Sequence, residues 1–85
     1  MSTENLKNYI HYMGNLIKEQ AKQAKQDEDN PKEGFADYNK GIVMAYYKVI
    51  STLKNQAPFF DLKQEDIGLD DINPDVDLFA VPKKK

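Results

Sequence analysis

The chain has no cysteine, no arginine and no tryptophan, and a single histidine among its 85 residues. Without cysteine, disulfides and thiolate metal sites are excluded, and the usual remaining support for a small core is oligomerisation. All twelve cations are lysine, so the planar fork that reads guanine edges or clamps phosphate is missing and sequence-specific nucleic-acid binding is not expected. One histidine cannot form a histidine cluster, and any imidazole catalysis would rest on His11 alone. No acid stands three or four residues from it, so it reads as a solvated surface residue. Ser2 and Ser51 have no surroundings that resemble an activated nucleophile.

Long apolar runs are also missing. The longest strongly apolar stretch, GIVMAYY at 41–47, is far below the ~18 residues of a membrane span. The N-terminus MSTENLKNYIHYMG has no basic region leading into an apolar stretch. The expectation is a soluble, cytoplasmic protein with no membrane segment. Gly14, Gly34, Gly41 and Gly68 are isolated, which excludes a glycine-rich phosphate loop. A chain this short buries only about 60% of the surface that its unfolded form exposes, so its own core is marginal.

What is present is a strongly uneven charge. Residues 1–56 carry eight lysines against seven acids, residues 57–82 one lysine against seven acids, and residues 83–85 three lysines: +1, −6 and +3. The final lysines read as a solubilising tail or an appended remnant, the alternative being a weak anion contact.

Apolar residues at Leu6, Ile10, Met13, Ile17 and Ala24 follow a helical seam, widened by Tyr9 and Leu16. Glu4, Asn8, His11, Asn15 and Lys18 share the opposite side. The spacing predicts an amphipathic helix over 4–27 whose alanine-rich last turns pack thinly. In NPKE at 30–33, Asn30 can cap, Pro31 can occupy the first helical position and Glu33 can complete a capping box, which predicts a second helix over 31–57. A short connection predicts an antiparallel hairpin.

The second helix has two adjoining stripes. Phe35, Tyr38, Ile42, Ala45, Tyr46, Val49 and Leu53 suit the first helix; Val43, Tyr47 and Ile50 form the other. Together they cover more than the ~100° that one neighbour buries, so a second neighbour is expected. The aromatics there read first as core tyrosines with hydroxyls at the rim.

Pro58 is expected to end this helix. Asp61 and Gln64 then suggest a cap, Leu62–Ile67 a helical turn, and Gly68 a left-handed close backed by Leu69. From there Ile72, Val76, Leu78, Phe79 and Val81 sit among acids in what reads as an extended arm, expected to fold back so that its apolar residues cover the second stripe while its carboxylates face water, the alternative being a segment that docks elsewhere. Within it Asp71, Asn73, Asp75 and Asp77 place an oxygen donor at every second position. A calcium loop counted from Asp71 would need glycine at Val76 and glutamate at Pro82, so no metal site is expected. A proline turn led by Asn73 is the better reading, with Val76 and Leu78 on one side.

These patterns predict an all-α fold: an antiparallel two-helix hairpin, a capped turn and acidic arm over 58–82, and a basic tail at 83–85, with residues 1–82 as one domain dimerising into a four-helix arrangement. The expected function is a non-catalytic interaction or regulatory module, with a homodimer or a larger protein as partner and no cofactor. Its expected contact surface is Val43, Met44, Tyr47, Ile50, Phe59 and Phe60. The alternative is an acidic regulator of a nucleic-acid-binding protein acting through Asp66, Asp70, Asp71, Asp75 and Asp77.

Overall fold

A computed structural model describes residues 3–78. Two long helices, α1 (Thr3–Asp29) and α2 (Ala36–Gln56), pack together. Two 3-10 turns, Ala57–Phe60 and Gln64–Ile67, and a single helical turn, α3 (Pro74–Asp77), follow. No strand occurs among the described residues, so the fold is all-α. Phe79, Val81 and Lys83 to Lys85, named in the sequence reading, lie outside the described residues.

The first helix is amphipathic, but its buried stripe is turned away from the expected seam. Gly14, Lys18, Ala21 and Ala24 are buried, while Leu6 and Ile10 stay exposed. Small residues decide this. A Cβ on Gly14 would stand 1.6 Å from the Ile67 carbonyl oxygen, and one on Gly68 would stand 2.5 Å from the His11 carbonyl oxygen. Only two glycines allow that backbone-to-backbone approach.

The alanine-rich end was expected to be thin, yet Ala21 and Ala24 are core residues and the helix runs on to Asp29. Short side chains let the neighbouring helix approach closely. Lys25 pairs with Glu28 at 2.8 Å and Asp29 at 3.6 Å, and the Asn39 side chain donates to the Asp27 carbonyl at 3.1 Å.

The second helix starts at Ala36 rather than Pro31. Gly34 has φ +86, a left-handed value that no helix begun at Pro31 can pass through. NPKE is therefore used in the connection, and Phe35, without a side-chain cap, leads the helix. Pro58 does not force Ala57 out of helical geometry: Ala57 has φ −53 and ψ −44, and Pro58 sits in the first 3-10 turn. Its missing N–H is harmless there. Asp61, expected as a cap, instead closes that turn in left-handed geometry at φ 60. The Lys63 backbone N–H donates to Asp66 Oδ2 at 2.8 Å, so Lys63 leads the next turn, which Gly68 closes at φ 73.

The arm is not extended. Leu69, Ile72 and Leu78 are among the most deeply buried side chains, in one core with Ala21, Ala24, Val43, Ile50, Ala57 and Ile67. Val76 and Leu78 were placed on one side by strand-like alternation. In fact Val76 is exposed and Leu78 buried, because α3 replaces a period of 2 with a helical one. The second neighbour that α2 required is this folded-back segment.

Candidate functional site

Residues 64–78 are held on the two long helices by polar contacts that flank the core. His11 Nδ1 lies 3.0 Å from the Glu65 carbonyl oxygen, a hydrogen bond in which the ring N–H is the donor, since a carbonyl only accepts. Lys18, 7% exposed, donates to Asp71 Oδ1 at 2.6 Å. Burial of an ammonium is tolerated because it is paired. This lysine was expected on the side of α1 opposite its apolar seam. Tyr47 OH donates to Asp75 Oδ1 at 2.7 Å, Lys54 Nζ to the Ile72 carbonyl, and Gln64 Nε2 to the Lys54 carbonyl at 3.1 Å.

The hydrogen bond from Lys18 and its charge hold the Asp71 carboxyl below the usual range, against the opposing effect of burial. The bond from Tyr47 to Asp75 pushes the Tyr47 phenol upward, with burial and the carboxylate charge acting the same way. Lys25 is raised chiefly by its bond to Glu28.

The four oxygen donors of the arm therefore do not converge. Asp71 faces Lys18 and Asp75 faces Tyr47, while Asn73 Oδ1 accepts from the Asp75 N–H at 3.0 Å and Asp77 Oδ2 from the Asn73 N–H at 2.9 Å. The last two bonds cap α3, with Pro74 at its start. Among the described residues no three His, Cys, Asp or Glu gather in a group able to hold a metal ion. Asp66 caps a turn and Asp70 is exposed.

The expected contact surface is split by the same folding. Val43 and Ile50 lie inside the core beneath the arm, and Tyr47 is half-buried beside them. They face this chain's own segment rather than a second subunit. Met44 is at the margin of exposure; Phe59 and Phe60 are 78% and 72% exposed.

Phe60 leads to what the sequence reading missed, a groove of about 400 Å³ between the N-terminal half of α1 and the end of α2. Tyr9, Ile10, Met13, Gly14 and Ile17 line it from α1 and Thr52, Leu53 and Gln56 from α2, with Ala57, Phe60, Leu62 and Ile67 completing the lining. None of these twelve residues is charged, in a chain that is 31% charged. Its signal in the sequence was the surplus of apolar residues over what a lone pair of short helices covers. Ile10, Met13 and Leu53 were read as apolar but assigned to the interior.

No protein-family model matches the chain, and no curated protein or solved structure is similar to it. Among the described residues no helix is long and apolar enough to cross a membrane.

Proposed function

We propose that this chain is a small non-catalytic interaction module that receives an apolar partner in the groove between α1 and α2. The observation that carries this reading is the uncharged lining, within which Tyr9, Ile10, Leu53 and Phe60 are exposed. Contiguous exposed apolar surface of this kind marks places where macromolecules meet, whereas single exposed apolar residues do not. Nile red, a neutral dye that brightens in apolar surroundings, tests it. Bright emission that is lost in Leu53→Lys is expected; equal emission from both proteins would remove the groove as a binding surface.

In this reading the long helices form an antiparallel hairpin. The order of the cross-helix hydrogen bonds supports this: Asp27 near the end of α1 takes Asn39 near the start of α2, and Gln20 takes the Tyr46 hydroxyl. Spin labels at Tyr12 and Asn55 should be closer than labels at Tyr12 and Lys40 by about 13 Å, from ~1.5 Å of rise per helical residue and helices packed about 9 Å apart. The opposite order would refute the hairpin. The acidic-regulator alternative has less support, because Asp66, Asp71, Asp75 and Asp77 each hold a group of this chain.

A further inference from the structure

We infer that the occupant of the groove is a second copy of this chain, with Phe59 of each copy entering the groove of the other. This rests on the groove reading above and names the partner. Three observations converge on it.

The first is the lining without charge. A two-fold interface sets the same patch of both copies together, so any charge near its axis faces itself. Like charges opposed in that way are repelled, and an uncharged patch is the kind that can meet its own copy. A strongly charged partner, by contrast, would find no counter-charge among the residues that line the groove.

The second is a projection beside a hole. Among the described residues Phe59 is the most exposed large apolar side chain, and it adjoins Phe60, which lines the groove. Both belong to the turn Ala57–Phe60, so knob and recess lie at one end of the molecule. That pairing is self-complementary, as a two-fold contact requires. An aromatic ring filling a recess is also the usual anchor of an interface.

The third is the small core. Among the described residues its largest fully buried side chains are Ile50, Leu69 and Ile72, and none of the buried residues there is aromatic. A chain of this size with so few large side chains inside needs support from outside itself. A second copy is the one partner present wherever the chain is. Pairing across the groove would join two pairs of long helices into a four-helix arrangement.

The test is the molar mass of the full chain by sedimentation equilibrium, from about 1 µM to about 1 mM, the range over which weak association is read. A reversible rise from 9.8 kDa to twice that mass is expected. Phe59→Asp removes the knob and leaves the recess; Tyr9→Lys alters the recess and leaves the knob. Both positions are more than 60% exposed, so circular dichroism should show unchanged helix content. Each substitution should weaken self-association about a hundredfold. An equimolar mixture of the two variants should recover the dimer: the new carboxylate of one copy meets the new ammonium of the other, and the second contact keeps Phe59 and Tyr9.

A monomer at every concentration would overturn the inference, while the dye assay would still judge the groove by itself. A dimer indifferent to both substitutions would place the contact elsewhere and overturn it. Variants that each stay monomeric and do not dimerise when mixed would overturn the entry of Phe59 into the partner's groove.

Discussion

Val43 and Ile50 lie sealed beneath residues 64–78, whereas Val49 and Leu53, on the adjoining stripe of the same helix, are 46% and 39% exposed. Apolar character alone does not separate the two stripes. Hydrophobic burial is non-directional, and an apolar segment could in principle have settled on either. The difference lies in the polar groups at the flanks. Lys18, Tyr47 and Lys54 supply donors on the covered side; no lysine lines the groove. A segment carrying Asp71 and Asp75 would meet no ammonium among the twelve residues that line the groove, where only Tyr9, Thr52 and Gln56 have side chains that donate, and a carboxylate without a cation near apolar surface is costly. The aspartates thus favour the stripe that their own segment covers, and Val49 and Leu53 on the other stay exposed.

The largest effect should come from the sealed stripe. Ile50→Ala deletes a fully buried side chain and should cost about 3 to 4 kcal/mol of unfolding free energy. Its neighbour supplies the contrast: Val49→Gln should stay within about 0.5 kcal/mol of the parent at low protein concentration. Denaturant titration of both reads the comparison directly. Equal losses would show that Val49 is covered in solution, and the distinction between the stripes would fail.

Next in size is the seat of the covering segment. Gly14→Ala forces a methyl group against the Ile67 carbonyl. Overpacking of that kind should cost about 2 to 3 kcal/mol and expose the core around Leu69 to hydrogen exchange. Gly41→Ala is the control, because nothing lies within 4 Å of its added Cβ; it should stabilise α2 by about 1 kcal/mol. A harmless Gly14→Ala would mean that α1 and the turn Gln64–Ile67 are not in backbone contact.

These positions also show how far the sequence could be read. The two long helices were legible, because Leu6, Ile10, Met13 and Ile17 keep a helical period and Val43, Tyr47 and Ile50 do the same. The direction in which α1 buries itself was not. It depends on Gly14, which looks like a helix-weakening residue until the Ile67 carbonyl is placed against it. Lys18 read only as part of the side opposite the apolar seam, since its partner Asp71 lies 53 residues away and no local pattern links them. The start of α2 was misplaced because a well-formed capping pattern at Asn30 competes with Gly34 only four residues on, and the left-handed glycine wins. The groove was hidden for the opposite reason: its residues were recognised as apolar, and apolar residues in a small chain were taken to be inside.

The smallest effect is the most specific to the covered side, and it is read against pH. Asp71 is held below the ordinary carboxylate value of 3.8 by Lys18, so on acidification the unfolded chain takes up that proton before the folded one does. The contribution of this pair is therefore full above 3.8 and is lost as pH falls through the lower value of the folded state. Tyr47 acts at the other end. Its phenol is raised above the ordinary 10.0 by donating to Asp75, so its contribution is full below 10.0 and is lost as pH rises through the raised value. Denaturation midpoints measured across pH should show a shallower acid limb in Asp71→Asn and a shallower alkaline limb in Tyr47→Phe. Val49→Gln, on the open stripe, should leave both limbs as they were. An acid limb unchanged in Asp71→Asn would mean that Lys18 does not hold the segment, and the choice between the two stripes would then have to rest on burial alone.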